Sequence, residues 1–201
     1  GLEFAEALRA SAMRTGVRLE RRDPAEENRA TRLLDVIEAA AGFFEKNLAL
    51  PVAAGARDYL LKKRGLTQAT VKTFRLGFCL EAWKGLTEYL LGQGFKRDEL
   101  VASGLVIEKD SNLYDRFRKR LMFPITDTHG SIVGFTGRLM PEDEKTAQAG
   151  KYVNTPSTVL YDKSKILYNL SNAKQEGRKK GIIILAEGQM DVIALHQLGF
   201  N

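Results

Sequence analysis

Two carboxylates four residues apart follow an apolar run near residue 187. Glu187 and Asp191 belong to the segment Glu-Gly-Gln-Met-Asp, which lies between the apolar residues 182–186 and a helical pattern. A carboxylate at the end of a strand and one in the next helical turn can meet at a sheet edge, where open α/β sheets bind ligands. Paired carboxylates there could hold Mg²⁺. From the spacing alone, stabilisation of the helix dipole is the simpler interpretation, at about 0.3–1 kcal/mol for each acid.

Arginines alternate with other residues between Tyr114 and Arg120. If this segment is extended, Arg116, Arg118 and Arg120 share one face. Such a face could grip a nucleic-acid backbone, because arginine donates two parallel hydrogen bonds to phosphate. A charged edge strand that resists aggregation explains the same spacing.

A second basic segment surrounds a proline turn. Lys151 and Asn154 precede the turn, and Lys163 and Lys165 follow it. These side chains could contact phosphates or a nucleotide, although an ordinary surface turn is the simpler interpretation. Residues 113–140 and 151–181 together carry twelve Lys or Arg and four Asp or Glu. The positive charge is therefore concentrated in one half of the sequence.

The composition limits the class of protein. The 201 residues are 44% hydrophobic, which is enough to bury a core, and the net charge of +6 with a pI near 9.4 fits a polyanion-binding protein. No apolar run is long enough to cross a bilayer and no export signal is present, so we expect a cytoplasmic protein. A single cysteine, Cys79, excludes an internal disulfide and a zinc site built from several thiolates.

The first hundred residues predict helices. Apolar residues recur at helical spacing over residues 33–44, and Pro51 should end that helix. A second helix is predicted from Val52 to Gly65, followed by a short helix with Thr67 as its N-cap. Further helices are predicted over residues 86–91 and 97–103.

After Gly104 the pattern changes to short apolar runs. Residues 121–125, 132–135 and 182–186 predict strands, and the turn at residues 127–130 predicts a hairpin between the first two. Residues 141–150 are polar and without periodicity, which predicts a mobile surface loop.

Several motifs in order resemble the RNA-polymerase core of the bacterial-type DNA primase family, also called the DnaG family. The segments are GLEFAEAL at residues 1–8, YLLKKRGL at 59–66, YDRFR at 114–118, MFPI at 122–125, GFTGR at 134–138 and KYVNTP at 151–156. Glu187 and Asp191 resemble the first acidic motif of the Toprim fold. This sequence differs from the family pattern at two places. It has Lys163-Ser164-Lys165 where the family often has Lys-Gly-Arg, and Gln189 where the family often has an aromatic residue.

The resemblance implies an α+β fold: an N-terminal helical subdomain and a mixed-sheet primase core leading into a truncated α/β Toprim domain. Residues 1–20 would be the tail of a zinc-binding domain or a linker, residues 21–104 helical, residues 105–178 basic and mixed, and residues 179–201 the start of Toprim. Zinc would enter only through an upstream domain absent from this sequence, and a second acidic motif would lie beyond residue 201.

The resemblance also implies a function, the synthesis of short RNA primers on single-stranded DNA from ribonucleoside triphosphates. Glu187 would be the leading catalytic carboxylate and Asp191 its neighbour in a Mg²⁺ or Mn²⁺ site that these residues leave incomplete, so we expect no polymerisation from them alone. The nucleic-acid and nucleotide surface would comprise Arg116, Arg118, Arg138, Lys151, Asn154, Lys163 and Lys165. A replicative helicase would bind through an absent C-terminal domain.

The residues leave two alternative functions open. One is a non-catalytic nucleic-acid-binding module. The other is a different Toprim enzyme, such as a topoisomerase or nuclease, although the basic, asparagine-containing segment before the acidic motif resembles primases in particular.

Overall fold

The computed structural model describes residues 24–144 and 150–200. The chain divides into two units, Gly1–Thr31 and Arg32–Asn201. Helix α1 (Pro24–Ala49) begins in the first unit, and all other described elements belong to the second. The predicted tail of a zinc-binding domain, residues 1–20, lies outside the described residues.

Helix α1 confirms the first predicted helix and its end before Pro51. It buries one face, at Leu33, Val36, Ile37, Ala40, Ala41, Phe44 and Leu48. This face packs against sheet and helix residues that include Met122, Phe135 and Leu86, forming the main hydrophobic core. The spacing of three and four residues explains why the face is continuous along the helix.

The second predicted helix is present as three short segments: a 3₁₀ turn (Pro51–Ala53), α2 (Ala54–Asp58) and a π turn (Tyr59–Lys63). Gly65 then adopts a left-handed φ of +66°, and the Leu66 N–H donates to the Leu60 carbonyl at 3.0 Å. Helix α3 (Gln68–Thr73) follows, with the Thr67 hydroxyl accepting from the Thr70 N–H at 3.1 Å as an N-cap. Both predictions are confirmed.

Helices α4 (Gly85–Gly92) and α5 (Arg97–Ala102) also confirm their predictions. After them, strands β2 (Val106–Lys109) and β3 (Asn112–Asp115) form an antiparallel pair. The turn between them places Asp110 and Ser111 at φ of +50° and +61°. Two successive left-handed residues match the right-handed twist of a tight hairpin.

The main sheet has four antiparallel strands in the order β1-β4-β5-β6. These are β1 (Gly77–Cys79), β4 (Arg120–Thr126), β5 (Ile132–Leu139) and β6 (Tyr152–Asn154). The predicted hairpin is confirmed as β4 and β5. Strand β1 was not predicted, because three residues are too few to show an alternating pattern.

The prediction of a strand at residues 182–186 is wrong. Helix α6 (Leu170–Lys180), which the sequence did not predict, precedes this segment. Helix α7 (Gln189–Gln197) follows it, as the helical pattern predicted. None of the strands in residues 24–144 and 150–200 pairs with the segment, and the side chains of Ile182, Ile183, Ile184 and Leu185 are more than half exposed. Apolar sequence alone does not make a strand, since the backbone also needs a hydrogen-bonded partner.

The predicted loop at residues 141–150 is only partly described. Residues 141–144 form a turn, and residues 145–149 lie outside the described part. The Glu144 carboxylate forms ion pairs with Arg138 and Lys151. A short 3₁₀ turn (Lys163–Lys165) lies between β6 and α6. Among the described helices, none is both long and apolar enough to cross a membrane.

Candidate nucleic-acid interface

The predicted face of three arginines does not exist. Strand β3 ends at Asp115, residues 116–119 are irregular, and Lys119 adopts a left-handed φ of +50°. The alternation needed for a shared face is therefore lost before β4 begins. The three arginines instead differ in burial and in hydrogen-bond partners.

Arg120 is buried, with 3% of its surface exposed. Its guanidinium donates to three backbone carbonyls, those of Gly137, Gly150 and Lys151, at 3.2, 2.9 and 3.1 Å. Burial lowers the pKa of Arg120, and Arg118 acts in the same direction. Arg120 thus fixes the backbone that leads into β6 and does not face solvent.

Arg116 is half-buried and donates from Nε to the Gly104 carbonyl at 2.6 Å. Burial lowers the pKa of its guanidinium. Its remaining N–H groups give it some capacity for phosphate, but its main contact is structural.

Arg118 forms the centre of an aromatic and cationic surface. Its guanidinium carbon lies 4.2 Å from the centroid of the Trp83 ring, and 64% of Trp83 is exposed. Tyr114 meets Trp83 edge to face at 5.9 Å, and the Lys84 ammonium lies 5.8 Å from the Tyr114 ring. We call Trp83, Lys84, Tyr114 and Arg118 the tryptophan platform.

Sequence reasoning found Arg118 but missed Trp83. Thirty-five residues separate them along the chain, so no local spacing connects them. The available signal was that the sequence has one tryptophan, and that it stands beside a lysine outside any strong apolar pattern.

The platform is organised by Asp115, which is 1% exposed. Its carboxylate accepts from the Leu86 N–H at 2.8 Å and from the Thr87 N–H and hydroxyl at 2.9 and 2.6 Å, at the start of α4. Its backbone N–H donates to the Trp83 carbonyl at 2.8 Å, and its carbonyl accepts from Arg118 at 2.5 Å. Burial raises the pKa of Asp115, while these hydrogen bonds and Arg118 act in the opposite direction.

Arg138 and Lys151 share one carboxylate. Glu144 pairs with Arg138 at 2.9 Å and with Lys151 at 3.0 Å. Arg138 is only 4% exposed and also lies over the Tyr59 ring at 5.1 Å, whereas half of the Lys151 side chain is exposed. Of these two predicted ligands, only Lys151 faces solvent.

Asn154 joins a short chain of side-chain hydrogen bonds. The Thr136 hydroxyl donates to the Asn154 Oδ1 at 2.8 Å and accepts from the Gln189 Nε2 at 3.2 Å. Gln189 is the first residue of α7, so these hydrogen bonds connect β6 through β5 to the helix that begins within the acidic motif.

Lys163 and Lys165 are exposed in the 3₁₀ turn. Lys165 pairs with Asp162 at 3.1 Å, and hydrogen bonds from Ser164 and Lys165 lower the pKa of Asp162 to about 2. Both lysines remain accessible to an anion.

Glu187 and Asp191 are both exposed, on either side of the start of α7. A Cβ at residue 188 would lie 3.0 Å from the Asp191 Oδ2, so glycine leaves room for this carboxylate to fold back over the turn. Two carboxylates suit the oxygen preference of Mg²⁺ but do not fill its six positions. In residues 24–144 and 150–200, no three His, Cys, Asp or Glu side chains gather as a metal site.

Comparisons with known proteins identify the family of the chain. Residues 43–174 match the family model described as the DNA primase catalytic core, N-terminal domain. The chain is 38% identical over 177 residues to the DNA primase of Synechococcus elongatus, covering 87% of this chain and 25% of that protein. It is 37% identical over 202 residues to the DNA primase of Deinococcus radiodurans, covering 100% of this chain and 33% of that protein.

A solved structure is similar over most of the chain. It is the RNA polymerase domain of Mycobacterium tuberculosis primase DnaG, in complex with a double-stranded DNA oligomer that has a 6-nucleotide overhang. The TM-score is 0.78 at 38% identity, covering 85% of this chain and 52% of that one. The fold is thus the α+β fold of a primase catalytic core, as predicted. The chain belongs to the DNA primase catalytic core, N-terminal domain family, and spans about a quarter to a third of the length of these two DNA primases.

Proposed function

We propose that this chain is the part of a DNA primase that holds single-stranded template beside the start of the polymerase active site. Family membership supports the enzyme class, and the similar solved domain was bound to a DNA oligomer with an overhang. The match to a primase core over residues 43–174 favours primase over another Toprim enzyme such as a topoisomerase or nuclease.

The stacking of Arg118 on the exposed Trp83 is the observation that carries the proposal. Bases stack on aromatic rings with a contribution of about 1–3 kcal/mol for each base, independent of sequence. A guanidinium beside the ring can bind the phosphate of the same nucleotide. The platform therefore offers one stacking surface and at least one phosphate contact for single-stranded DNA.

Glu187 and Asp191 are proposed to supply two of the carboxylates of a Mg²⁺ or Mn²⁺ site. A divalent cation bound there would orient the primer 3′-hydroxyl and stabilise charge on the α-phosphate of a ribonucleoside triphosphate. The exposed Lys151, Lys163 and Lys165 would hold the phosphates of that triphosphate. Two carboxylates do not complete the site, so we expect residues 1–201 to bind DNA without polymerising.

The whole protein is proposed to work at the bacterial replisome in the cytoplasm. Contacts to a replicative helicase and a zinc-binding domain would come from parts of the longer relatives that this chain does not span.

Fluorescence anisotropy of a labelled oligothymidylate across a salt series tests the template surface. For single strands, log K falls with log salt by about 0.7 for each phosphate contact, so Arg118→Ala should make the slope shallower by about 0.7. Trp83→Phe should lose little, whereas Trp83→Ala should weaken binding by about 5- to 150-fold without changing the slope.

Lys179→Ala is the matched control, because it removes one positive charge from an exposed side chain on α6. Equal losses in Arg118→Ala and Lys179→Ala would mean that binding depends on net charge alone, and the template surface would then be rejected. Normal binding with no primer synthesis by the full-length protein would instead favour a non-catalytic binding module.

A further inference from the structure

Three of the side chains through which helix α7 contacts the rest of its unit are spaced four residues apart. Gln189, Ile193 and Gln197 stand at positions i, i+4 and i+8, so they lie along one helical face. Ile193 is fully buried in the second hydrophobic cluster, while both glutamines make hydrogen bonds. The face is thus apolar in the middle and polar at both ends.

Gln197 holds the C-terminal end through two backbone groups. Its Oε1 accepts from the Thr67 N–H at 2.7 Å, and its Nε2 donates to the Gly65 carbonyl at 2.9 Å. Both groups belong to the connection between the π turn and α3. Backbone groups at helix ends have no hydrogen-bond partner within the helix. One side chain therefore satisfies a donor and an acceptor at the same junction.

Gln189 holds the N-terminal end through the Thr136 hydroxyl, which in turn donates to Asn154. Between this anchor and Gln197 the helix rises about 12 Å over eight residues. Ile193 and Met190 pack in the second cluster and His196 packs against Phe74, but packing is less directional than hydrogen bonding and sets the rotation of the helix about its axis less sharply. Directional hydrogen bonds at the two ends fix that rotation.

Rotation matters because Asp191 lies two residues after Gln189, about 200° around the helix. Asp191 therefore points away from the anchored face, consistent with its exposure. If the anchored face turns, the Asp191 carboxylate moves with it relative to Asn154 and Lys151.

We infer that Gln189 and Gln197 are positioning residues that set the acidic pair Glu187 and Asp191 in a fixed relation to Asn154 on β6. The inference rests on the proposed function, since it concerns the same metal-binding pair. The two glutamines act through the helix and touch neither metal nor substrate. Their removal should displace the acidic pair without weakening the template surface, which lies on other elements.

Paramagnetic relaxation by Mn²⁺ tests this inference on the chain of 201 residues. Mn²⁺ bound at Glu187 and Asp191 broadens the NMR signals of nearby amides according to distance. The measured quantity is the broadening of the Asn154 side-chain amide relative to the Val192 backbone amide, which moves with the metal site. We expect a change in this ratio in Gln189→Met and Gln197→Met.

Gln175→Met is the matched control, since Gln175 is exposed on α6. The ratio should stay at the wild-type value in this variant, and oligothymidylate binding should be unchanged in all three. If Gln197→Met does not fold, Gln189→Met carries the same test, because it removes a single 3.2 Å contact and leaves Ile193 in place.

The outcomes separate the two proposals. Broadening near residues 187–191 in the wild type with an unchanged ratio in both glutamine variants overturns the positioning role alone. No Mn²⁺ broadening at those residues in the wild type, or none lost in Glu187→Gln, overturns the proposed metal site and the positioning role with it.

Discussion

Replacing Asp115 with asparagine should destabilise the fold, because an amide NH2 group replaces one oxygen of a buried carboxylate. Three donors converge on the carboxylate: Oδ1 accepts two of them from Thr87, and Oδ2 accepts the third from the Leu86 N–H. Asparagine keeps one oxygen, which will face Thr87. Its amide nitrogen must then face the Leu86 N–H, and two buried donors are left without an acceptor.

Each buried donor without a partner costs about 1–3 kcal/mol, so Asp115→Asn should lower the free energy of unfolding by about 3 kcal/mol. Urea denaturation followed by far-UV circular dichroism measures this change. With an m-value of about 1–3 kcal/mol/M, the urea midpoint should fall by about 1–3 M. Trp83 fluorescence gives a second probe, because Trp83 is the sole tryptophan and its carbonyl accepts from the Asp115 N–H.

Two control variants test whether the loss of stability comes from the Asp115 carboxylate. Thr87→Val removes one donor and leaves the carboxylate two, so its loss should be about 1 kcal/mol. Asp110→Asn makes the same chemical change at an exposed hairpin residue with left-handed φ, which asparagine tolerates, so its midpoint should not move. A midpoint for Asp115→Asn equal to that of Asp110→Asn would refute the role given to this carboxylate.

Two further predictions concern packing and pH. Gly77→Ala should lower stability by about 1–3 kcal/mol in urea denaturation, because its Cβ would lie 2.5 Å from the Phe44 Cβ. Gly42→Ala, at a helical position where a Cβ would meet nothing within 4 Å, should raise stability by about 0.5–1 kcal/mol. Equal effects of the two substitutions on stability would contradict the close packing of Gly77 against Phe44. Burial lowers the pKa of His196 in the folded protein below 6.5. The contribution of the neutral ring to folding stability is therefore complete above pH 6.5 and is lost as the pH falls through the pKa of the folded state. His196→Phe, which keeps the ring against Phe74, should lose less stability than the wild type on acidification.

Much of the fold could be predicted from local pattern. The apolar spacing of α1, the left-handed Gly65, the Thr67 cap and the β4–β5 hairpin each depend on residues within one or two turns of chain. The order of motifs was also sufficient to indicate the primase family. These features are local because helix periodicity and turn geometry are set by near neighbours.

The candidate site was predictable only in part. The sequence showed which half of the chain carries most of the positive charge, yet it could not separate exposed cations from buried ones. Arg118 is partly exposed and stacks on Trp83, whereas Arg120 is buried against backbone carbonyls and Arg138 is buried beside Glu144. The strand predicted at residues 182–186 failed for a related reason, since pairing depends on a partner that the segment does not contain.

The sequence by itself therefore determined which segments form α1, α3, α7 and the β4–β5 hairpin, and which family the chain resembles. The tertiary structure alone decided that Trp83 meets Arg118, that Asp115 caps α4, and that Gln197 binds the connection before α3. The physical reason is distance along the chain: the partners in these contacts are 29 to 130 residues apart, and only the packed core brings them within hydrogen-bonding or stacking range.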